Sequence, residues 1–345
     1  MKAVRLEAWE AAPAFVDVSV PEPGPGEVLL EVTAAGLCHS DLHILDWPAG
    51  TLPWELPFTL GHENAGSVVA LGDGARGVEV GDRVVVYGPW GCGSCAHCAR
   101  GAENLCPSRG GRGAGCGLDG GLAEYLLVPS ARYLVPIGGL DPVQAAPLTD
   151  AALSPYHAVK VNLDVLRPGS TAVVIGIGGL GHVAVQLVRA LSPARVAAID
   201  VRAAARDLAV RHGADLALDG AELTGADARD ALGGQADLVL DFVGSDSTLA
   251  LAVDVLAAGG RLVVAGLAGG SLPKPVAELP FDASVSRPCW GTLPELREVV
   301  ELALRGAITI ETERLGLADT LAGYDRLRNG SVAGRAVVVP VSSGS

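Results

Sequence analysis

Three sets of residues in this chain are of the right type and spacing to do chemistry. Four of its seven cysteines, Cys92, Cys95, Cys98 and Cys106, crowd the stretch GCGSCAHCARGAENLC. The spacing C-x2-C-x2-C-x7-C lets four thiolates surround one ion once the loop folds back, and zinc takes four sulfur ligands tetrahedrally with no position left open. Gly91, Gly93 and Gly101 supply the turns. A redox pair would need only two of these cysteines beside a helix start, and an iron–sulfur cluster is the other chemistry such spacing permits. We read residues of about 90–107 as a structural zinc lobe.

The second set is sparser. Cys38 in GLCHSDLH, His62 in LGHENAG and Asp150 in PLTDAALSPYHA would give three ligands and leave a fourth position open, the pattern of a catalytic zinc. Taken singly, each has a plainer reading: a small buried hydrophobe, a hydrogen-bonded histidine, a helix cap. In the third set, Gly176, Gly178, Gly179 and Gly181 of IGIGGLG follow the apolar run TAVVI and precede a helical one. Glycines there admit the backbone to a pyrophosphate at a helix N-terminus. Asp200 ends the run RVAAID, 19 residues after Gly181, placed to accept hydrogen bonds from adenosine ribose hydroxyls. A carboxylate in that position repels a 2′-phosphate and so favours NAD over NADP. Arg202 tempers that preference, unless it is simply an exposed arginine at a helix start.

The elements that must position these residues divide the chain. Residues 1 to about 150 read as short alternating strands, EVLLEVTAAG and AGSVVALG among them, separated by Gly/Pro turns, as in a barrel or sandwich. From Ser170 apolar strands alternate with helical stretches, which implies a doubly wound parallel sheet. Beyond Trp290 we expect one helix, LPELREVVELALRG, and a final strand, GRAVVVPV, packing back on the first domain. The expected domains are 1–152, 153–289 and a return segment 290–345.

The totals narrow the function. With 345 residues, two domains are the default. A net charge of -14, spread along the chain, argues against nucleic acid or an anionic membrane as partner. The N-terminus lacks the apolar run of a signal peptide, and TAVVIGIGGLGHVAVQLVRAL is too broken by glycine, His182 and Gln186 to span a membrane. We therefore expect a cytoplasmic protein whose thiols stay reduced, which disfavours disulfides.

GLCHSDLH, GHENAG, the four-cysteine lobe, IGIGGLG with Asp200 and the order of the two domains together resemble, nearly end to end, the zinc-dependent medium-chain alcohol dehydrogenases. The resemblance is nearest to bacterial NAD-dependent secondary alcohol dehydrogenases. It implies a GroES-like catalytic domain, a Rossmann NAD-binding domain, two zinc ions per chain and hydride transfer between NAD(H) and a secondary alcohol or ketone, possibly primary alcohols and aldehydes as well. A homotetramer is expected on the same ground.

Residue by residue, the resemblance implies Cys38, His62 and Asp150 as ligands of the catalytic zinc. Asp150 stands where many members carry cysteine. Asp41 is implied as the carboxylate that orients His62, and Glu63 as an alternative ligand. Ser40 would hydrogen-bond the substrate oxygen, and its proton would pass through the nicotinamide ribose to His43, which could also line the pocket; His39 is a competing relay or a pyrophosphate contact. Leu180 in the glycine turn, Val243 and Arg335 are implied contacts of the cofactor, Arg335 at its phosphates unless it is only an exposed strand-start arginine. Trp54, Leu118, Phe281, Cys289 and Trp290 are the implied pocket residues. Cys116 fits neither metal set and is read as a plain thiol. Two other readings stand beside this one: a zinc-free quinone or enoyl reductase of the same superfamily, and a non-catalytic NAD-sensing scaffold.

Overall fold

The computed structural model describes residues 1–340, in two compact units. One comprises Met1–Leu153 and the chain from Trp290 onward; the other is Ser154–Cys289.

The second unit is built on six parallel strands in the spatial order Leu216–Asp219, Arg195–Asp200, Thr171–Ile175, Ala236–Asp241, Leu256–Val264, Ser284–Ser286. The central strands are buried on both faces, as a parallel sheet covered by helices requires. Ile175, Ile199, Val239 and Leu262 lie in one cluster with Leu232 and Val255 from two of the covering helices. Strand order reverses direction between Thr171–Ile175 and Ala236–Asp241, the switch point at which such sheets open a crevice for ligands.

The first unit carries a seven-stranded sheet whose main path runs Leu134–Pro136, Arg83–Val86, Glu63–Leu71, Val28–Gly36, Arg335–Val339, Thr312–Gly316. Tyr125–Val128 pairs with the first half of Val28–Gly36, and Arg335–Val339 pairs with its end. Breaks in register within Val28–Gly36 at Leu29/Leu30 and Val32/Ala34 bend the strand. A second sheet of three strands joins Ala14–Asp17, Lys2–Leu6 and Phe58–Thr59.

The return segment holds more than one helix and one strand. The helix Leu293–Leu304 opens on a reciprocal cap: Thr292 Oγ1 accepts from Glu295 N–H at 3.3 Å, and Glu295 Oε2 accepts from Thr292 N–H at 2.7 Å. Between it and the last strand lie the strand Thr312–Gly316 and a second helix, Thr320–Arg328. Both escape an apolar-pattern reading for a physical reason. The strand TERLG is only partly buried, and the helix buries Thr320, Gly323, Tyr324 and Leu327, spaced i, i+3, i+4, i+7 but half of them not apolar. Gly323 lets the helix close on the sheet, since a Cβ there would lie 2.7 Å from both Leu315 Cδ1 and Leu37 Cδ1.

Candidate metal and nucleotide sites

Cys38 is the N-cap of the helix His39–Asp46, two residues beyond the strand Val28–Gly36. Three residues on, Asp41 does two jobs with one buried carboxylate. Its Oδ2 accepts from Cys38 N–H at 3.0 Å, and its Oδ1 lies 3.0 Å from His62 Nδ1. That second bond puts the Nδ1 proton toward Asp41 and leaves Nε2 as the ligating nitrogen. His62 Nε2 is 3.5 Å from Asp150 Oδ2, which is 3.6 Å from Cys38 Sγ. The three ligand atoms all lie within 4.8 Å of one another, and all three residues are buried. Metal–ligand distances of about 2.0–2.3 Å in a tetrahedron put ligands about 3.3–3.8 Å apart, so the donor set fits one zinc ion with a fourth position to spare. Burial alone would depress the His62 imidazole, but Asp41 and Asp150 outweigh it and hold its pKa well above the usual value. The pocket favours positive charge at this point.

A further layer surrounds the three. Arg335, buried at the start of its strand, grips Glu63 with both arms, Nε to Oε2 at 2.8 Å, and also approaches Asp150 Oδ2 at 3.6 Å. Ala151 N–H donates to Glu63 Oε1 at 2.9 Å. Glu63 is thus committed to Arg335 and the backbone and stands outside the ligand cluster, contrary to its expected role as an alternative ligand. Arg335 likewise differs from both expectations: it is neither an exposed strand-start residue nor directed to a phosphate, because the buried glutamate claims it. Gly36 makes room for the pair, since a Cβ there would fall 2.0 Å from Glu63 Oε2.

Two neighbours carried no signal that sequence reasoning used. Cys116, read as a plain thiol, is outside both metal clusters but buried beside His62; burial pushes its thiol up, and the imidazole works against that. Tyr324 is wholly buried, and its hydroxyl faces Asp41 without a hydrogen bond of ordinary geometry among the described residues. Burial first, and then the Asp41 charge, hold that phenol well above its usual pKa.

On the same helix as Asp41, Ser40 Oγ lies 3.5 Å from Cys38 Sγ, and His43 is half-buried with its ring stacked on Trp47 at 6.3 Å. Burial lowers the His43 pKa, with Asp46 opposing and Arg328 assisting. His39 is exposed. Among the expected pocket residues, Trp290 meets the ligands, edge-to-face with His62 at 5.8 Å between ring centroids. Trp54 packs on Gly117 and donates Nε1–H to Gly110 O at 3.1 Å, and Leu118 is partly buried nearby. Phe281 does not suit a pocket wall: it is 90 % exposed, in a turn whose carbonyl is tied to Gly259 N–H. Cys289 is exposed as well.

The four-cysteine loop closes on itself. Sulfurs of Cys95 and Cys98 are 3.5 Å apart, those of Cys92 and Cys98 and of Cys95 and Cys106 3.9 Å, and all seven cysteines are free thiols. Four sulfurs at these distances match a single zinc with Zn–S of about 2.3 Å. Backbone and hydroxyl donors of Ser94 pull the Cys92 thiol down to about 5, whereas burial pushes Cys98 up to about 12. Gly91 has no room for a side chain, because a Cβ would lie 2.5 Å from Cys98 Sγ. Arg132 pairs with the buried Glu103 and donates to Cys98 O at 3.4 Å, bracing the loop from outside.

In the second unit the strand Thr171–Ile175 runs into Gly176 at φ 84°, and the helix Gly181–Leu191 begins after Gly178, Gly179 and Leu180. A Cβ on Gly176 would strike Val243 Cγ2 at 2.6 Å, and one on Gly181 would strike Gly176 O at 1.9 Å, whereas Gly178 is open for at least 4 Å. Two glycines therefore set the turn and the third leaves the backbone accessible. Asp200 Oδ2 accepts from Ile177 N–H and Oδ1 from Arg202 N–H, each at 2.8 Å. The Arg202 guanidinium sits on the same carboxylate, 3.2 Å from each oxygen. Asp241 is the residue sequence reasoning missed here. Buried at the end of the neighbouring strand, it accepts from Val243 and Gly244 N–H at 2.8 and 3.0 Å and so fixes the loop that carries Val243 over the glycine turn.

Residues 24–139 match the alcohol dehydrogenase GroES-like domain model, and residues 179–305 match the zinc-binding dehydrogenase model. An NAD-dependent alcohol dehydrogenase of Sulfurisphaera tokodaii is 36% identical, over 99% of this chain and 100% of its own. The crystal structure of the alcohol dehydrogenase from the archaeon Aeropyrum pernix superposes with a TM-score of 0.91 at 34% identity, covering 99% of this chain and 100% of the other. The acetophenone reductase from Geotrichum candidum, solved in complex with NAD, superposes with a TM-score of 0.86 at 34% identity, covering 98% and 96%.

Proposed function

The chain belongs to the zinc-type medium-chain alcohol dehydrogenase family, and from that premise we propose which of its residues do which work. It is an NAD-dependent, zinc-containing oxidoreductase acting on alcohols and the corresponding carbonyl compounds. The observation that carries the finer reading is the convergence of Cys38, His62 and Asp150, three buried ligands from distant positions with room for a fourth. That donor set disfavours a zinc-free reductase and has no use in a scaffold.

Held by Cys38, His62 and Asp150, zinc would supply a Lewis acid for the substrate oxygen, and NAD would supply the hydride acceptor or donor. The protein does the rest. Cys38 and Asp150 bring two negative charges to balance the cation, and Asp41 fixes the His62 ring so that Nε2 points into the cluster. Ser40 and His43 are three apart on one helix, hence on one face. Ser40 Oγ takes the proton of the reacting hydroxyl and hands it toward His43, whose lowered pKa keeps it neutral and ready to accept near pH 7. The exposed His39 is the poorer relay. Asp200 holds the adenosine ribose and excludes a 2′-phosphate, with Arg202 as its counter-ion. The domains are assigned as 1–152 and 290–345 for catalysis and 153–289 for the nucleotide. Secondary alcohols are the preferred substrates, in keeping with the similarity to an acetophenone reductase, and a tetramer is the expected assembly on the family resemblance alone. No helix among the described residues is long and apolar enough to cross a membrane, in keeping with a cytoplasmic enzyme.

Metal analysis together with a panel of primary and secondary alcohols tests this reading. Close to two zinc per chain and NAD-linked turnover fastest with secondary alcohols are expected; a single zinc, held by the cysteine lobe, would end it. Oxidation should also slow as pH falls through the lowered His43 value, below about 6.5, and a rate flat down to pH 5 would remove His43 from the relay.

A further inference from the structure

Trp290 has features that a pocket wall does not need. Its backbone lies at φ 50°, a left-handed conformation that a bulky residue holds only when its surroundings impose it. They do so here. The buried Tyr87 hydroxyl donates to Gly291 O at 2.7 Å, and Leu293 N–H donates to Gly101 O at 2.9 Å. Pro294 closes on Gly101 so tightly that a Cβ there would lie 2.7 Å from Pro294 Cδ. The residues that follow the indole, Gly291, Leu293 and Pro294, are thus tied to the core and to the four-cysteine lobe.

The indole itself joins the two metal sites. It meets the His62 ring edge-to-face, at 5.8 Å and an interplanar angle of 80°. The guanidinium of Arg109 also stands over the indole, 5.5 Å from the centroid. Arg109 is buried and belongs to the lobe. It ends the short turn Pro107–Arg109 that starts directly after Cys106, its N–H donates to Cys106 O at 3.2 Å, and its guanidinium donates to Arg112 O at 2.6 Å and Asn104 O at 3.5 Å. Contact therefore runs unbroken from Cys106 through Arg109 and Trp290 to His62.

We propose that Arg109 and Trp290 are positioning residues through which the four-cysteine lobe fixes the plane of the His62 imidazole. Asp41 secures Nδ1 at 3.0 Å and Asp150 lies 3.5 Å from Nε2, but both act at the ring edge and neither packs against its face. The indole edge-to-face contact adds a steric wall that limits tilting of the ring, and the arginine, anchored by the cysteine loop, holds the indole. This rests on the reading of His62 as a zinc ligand.

The test uses the full-length holoenzyme with Arg109→Met, Arg109→Lys and Trp290→Leu. Release of zinc to a colorimetric chelator is timed for each, and the cobalt-loaded form is read by the visible absorption of its thiolate–metal bands, a signature that a loss of general stability leaves in place. Arg109→Met and Trp290→Leu should release the catalytic zinc about tenfold faster, the low end for residues that orient a ligand, with displaced cobalt bands and the lobe zinc retained. Arg109→Lys should recover part of the difference, since a cation again stands over the ring. If both variants release zinc at the wild-type rate with unchanged bands, the proposal is wrong while the zinc reading survives. Loss of both ions together in Arg109→Met, with Trp290→Leu behaving as wild type, also overturns it, because Arg109 would then serve the lobe alone. A wild-type enzyme with no zinc that Cys38→Ser removes would instead sink the reading beneath it.

Discussion

In the lobe, four sulfurs come from fifteen consecutive residues; at the other metal site a thiol and a carboxylate that nearly touch lie 112 positions apart. The lobe sits partly at the surface, with Cys92 exposed and Cys95 half-exposed, while Cys38, His62 and Asp150 are all buried. Full coordination explains the difference. Four ligands on one ion define their own geometry, so a short glycine-bearing loop is sufficient. Three ligands that must leave a position open do not, so something has to stand behind each. Asp41 stands behind both Cys38 and His62, and Arg335 approaches Asp150 while it holds Glu63. Closed sites organise their loop, whereas open sites are organised by the fold around them.

Four substitutions sharpen or break that contrast. The largest effect belongs to Cys38→Ser set against Cys95→Ser. Cys38→Ser should lower turnover at least about a thousandfold, as loss of several kcal/mol of metal catalysis implies, while NADH binding followed by fluorescence stays near wild type. Cys95→Ser should keep turnover within roughly tenfold and lower Tm by about 10 °C, since folding energy is what a structural zinc supplies. If the two variants look alike, the division of labour is wrong. Next comes Asp41→Asn, which should weaken the catalytic zinc by about 10–100-fold in a chelator titration and leave the lobe zinc untouched. An equal effect on both ions would place Asp41 in general stability. The smallest is Tyr324→Phe. Deleting one hydroxyl beside Asp41 should change zinc affinity by about fivefold at most, ~1 kcal/mol. A loss as large as that of Asp41→Asn would make the phenol an equal partner.

Much of this architecture was legible in the residues. The switch from short alternating strands to alternating strands and helices marks the two units, and IGIGGLG after TAVVI with Asp200 beyond it marks the glycine turn, because that turn is local and its glycines have steric reasons. Residue types offered Cys38, His62 and Asp150 as a ligand set only weakly, and the resemblance strengthened it, since spacing does not say which distant side chains meet. Long-range pairing is also where expectation failed. Glu63 and Arg335 each looked functional in isolation, and only the fold reveals that they bind one another across 272 positions. Phe281 looked like an aromatic wall and proved to be exposed. The helix Thr320–Arg328 was invisible because threonine and glycine occupy half of its buried face, and with it went Tyr324.

The strand Arg335–Val339 completes the sheet of the first unit by pairing with Val28–Gly36, although the whole of the other unit lies between them in the chain. On the ribosome this sets an order of assembly. Ser154–Cys289 is contiguous and emerges whole, so it is free to fold as a unit while the first unit still lacks a strand. Until Arg335 is synthesised, Glu63 has no guanidinium to offset its burial. The buried Glu63–Arg335 pair thus closes only with the last strand, whereas all four sulfurs of the cysteine lobe are present in the chain more than two hundred residues earlier.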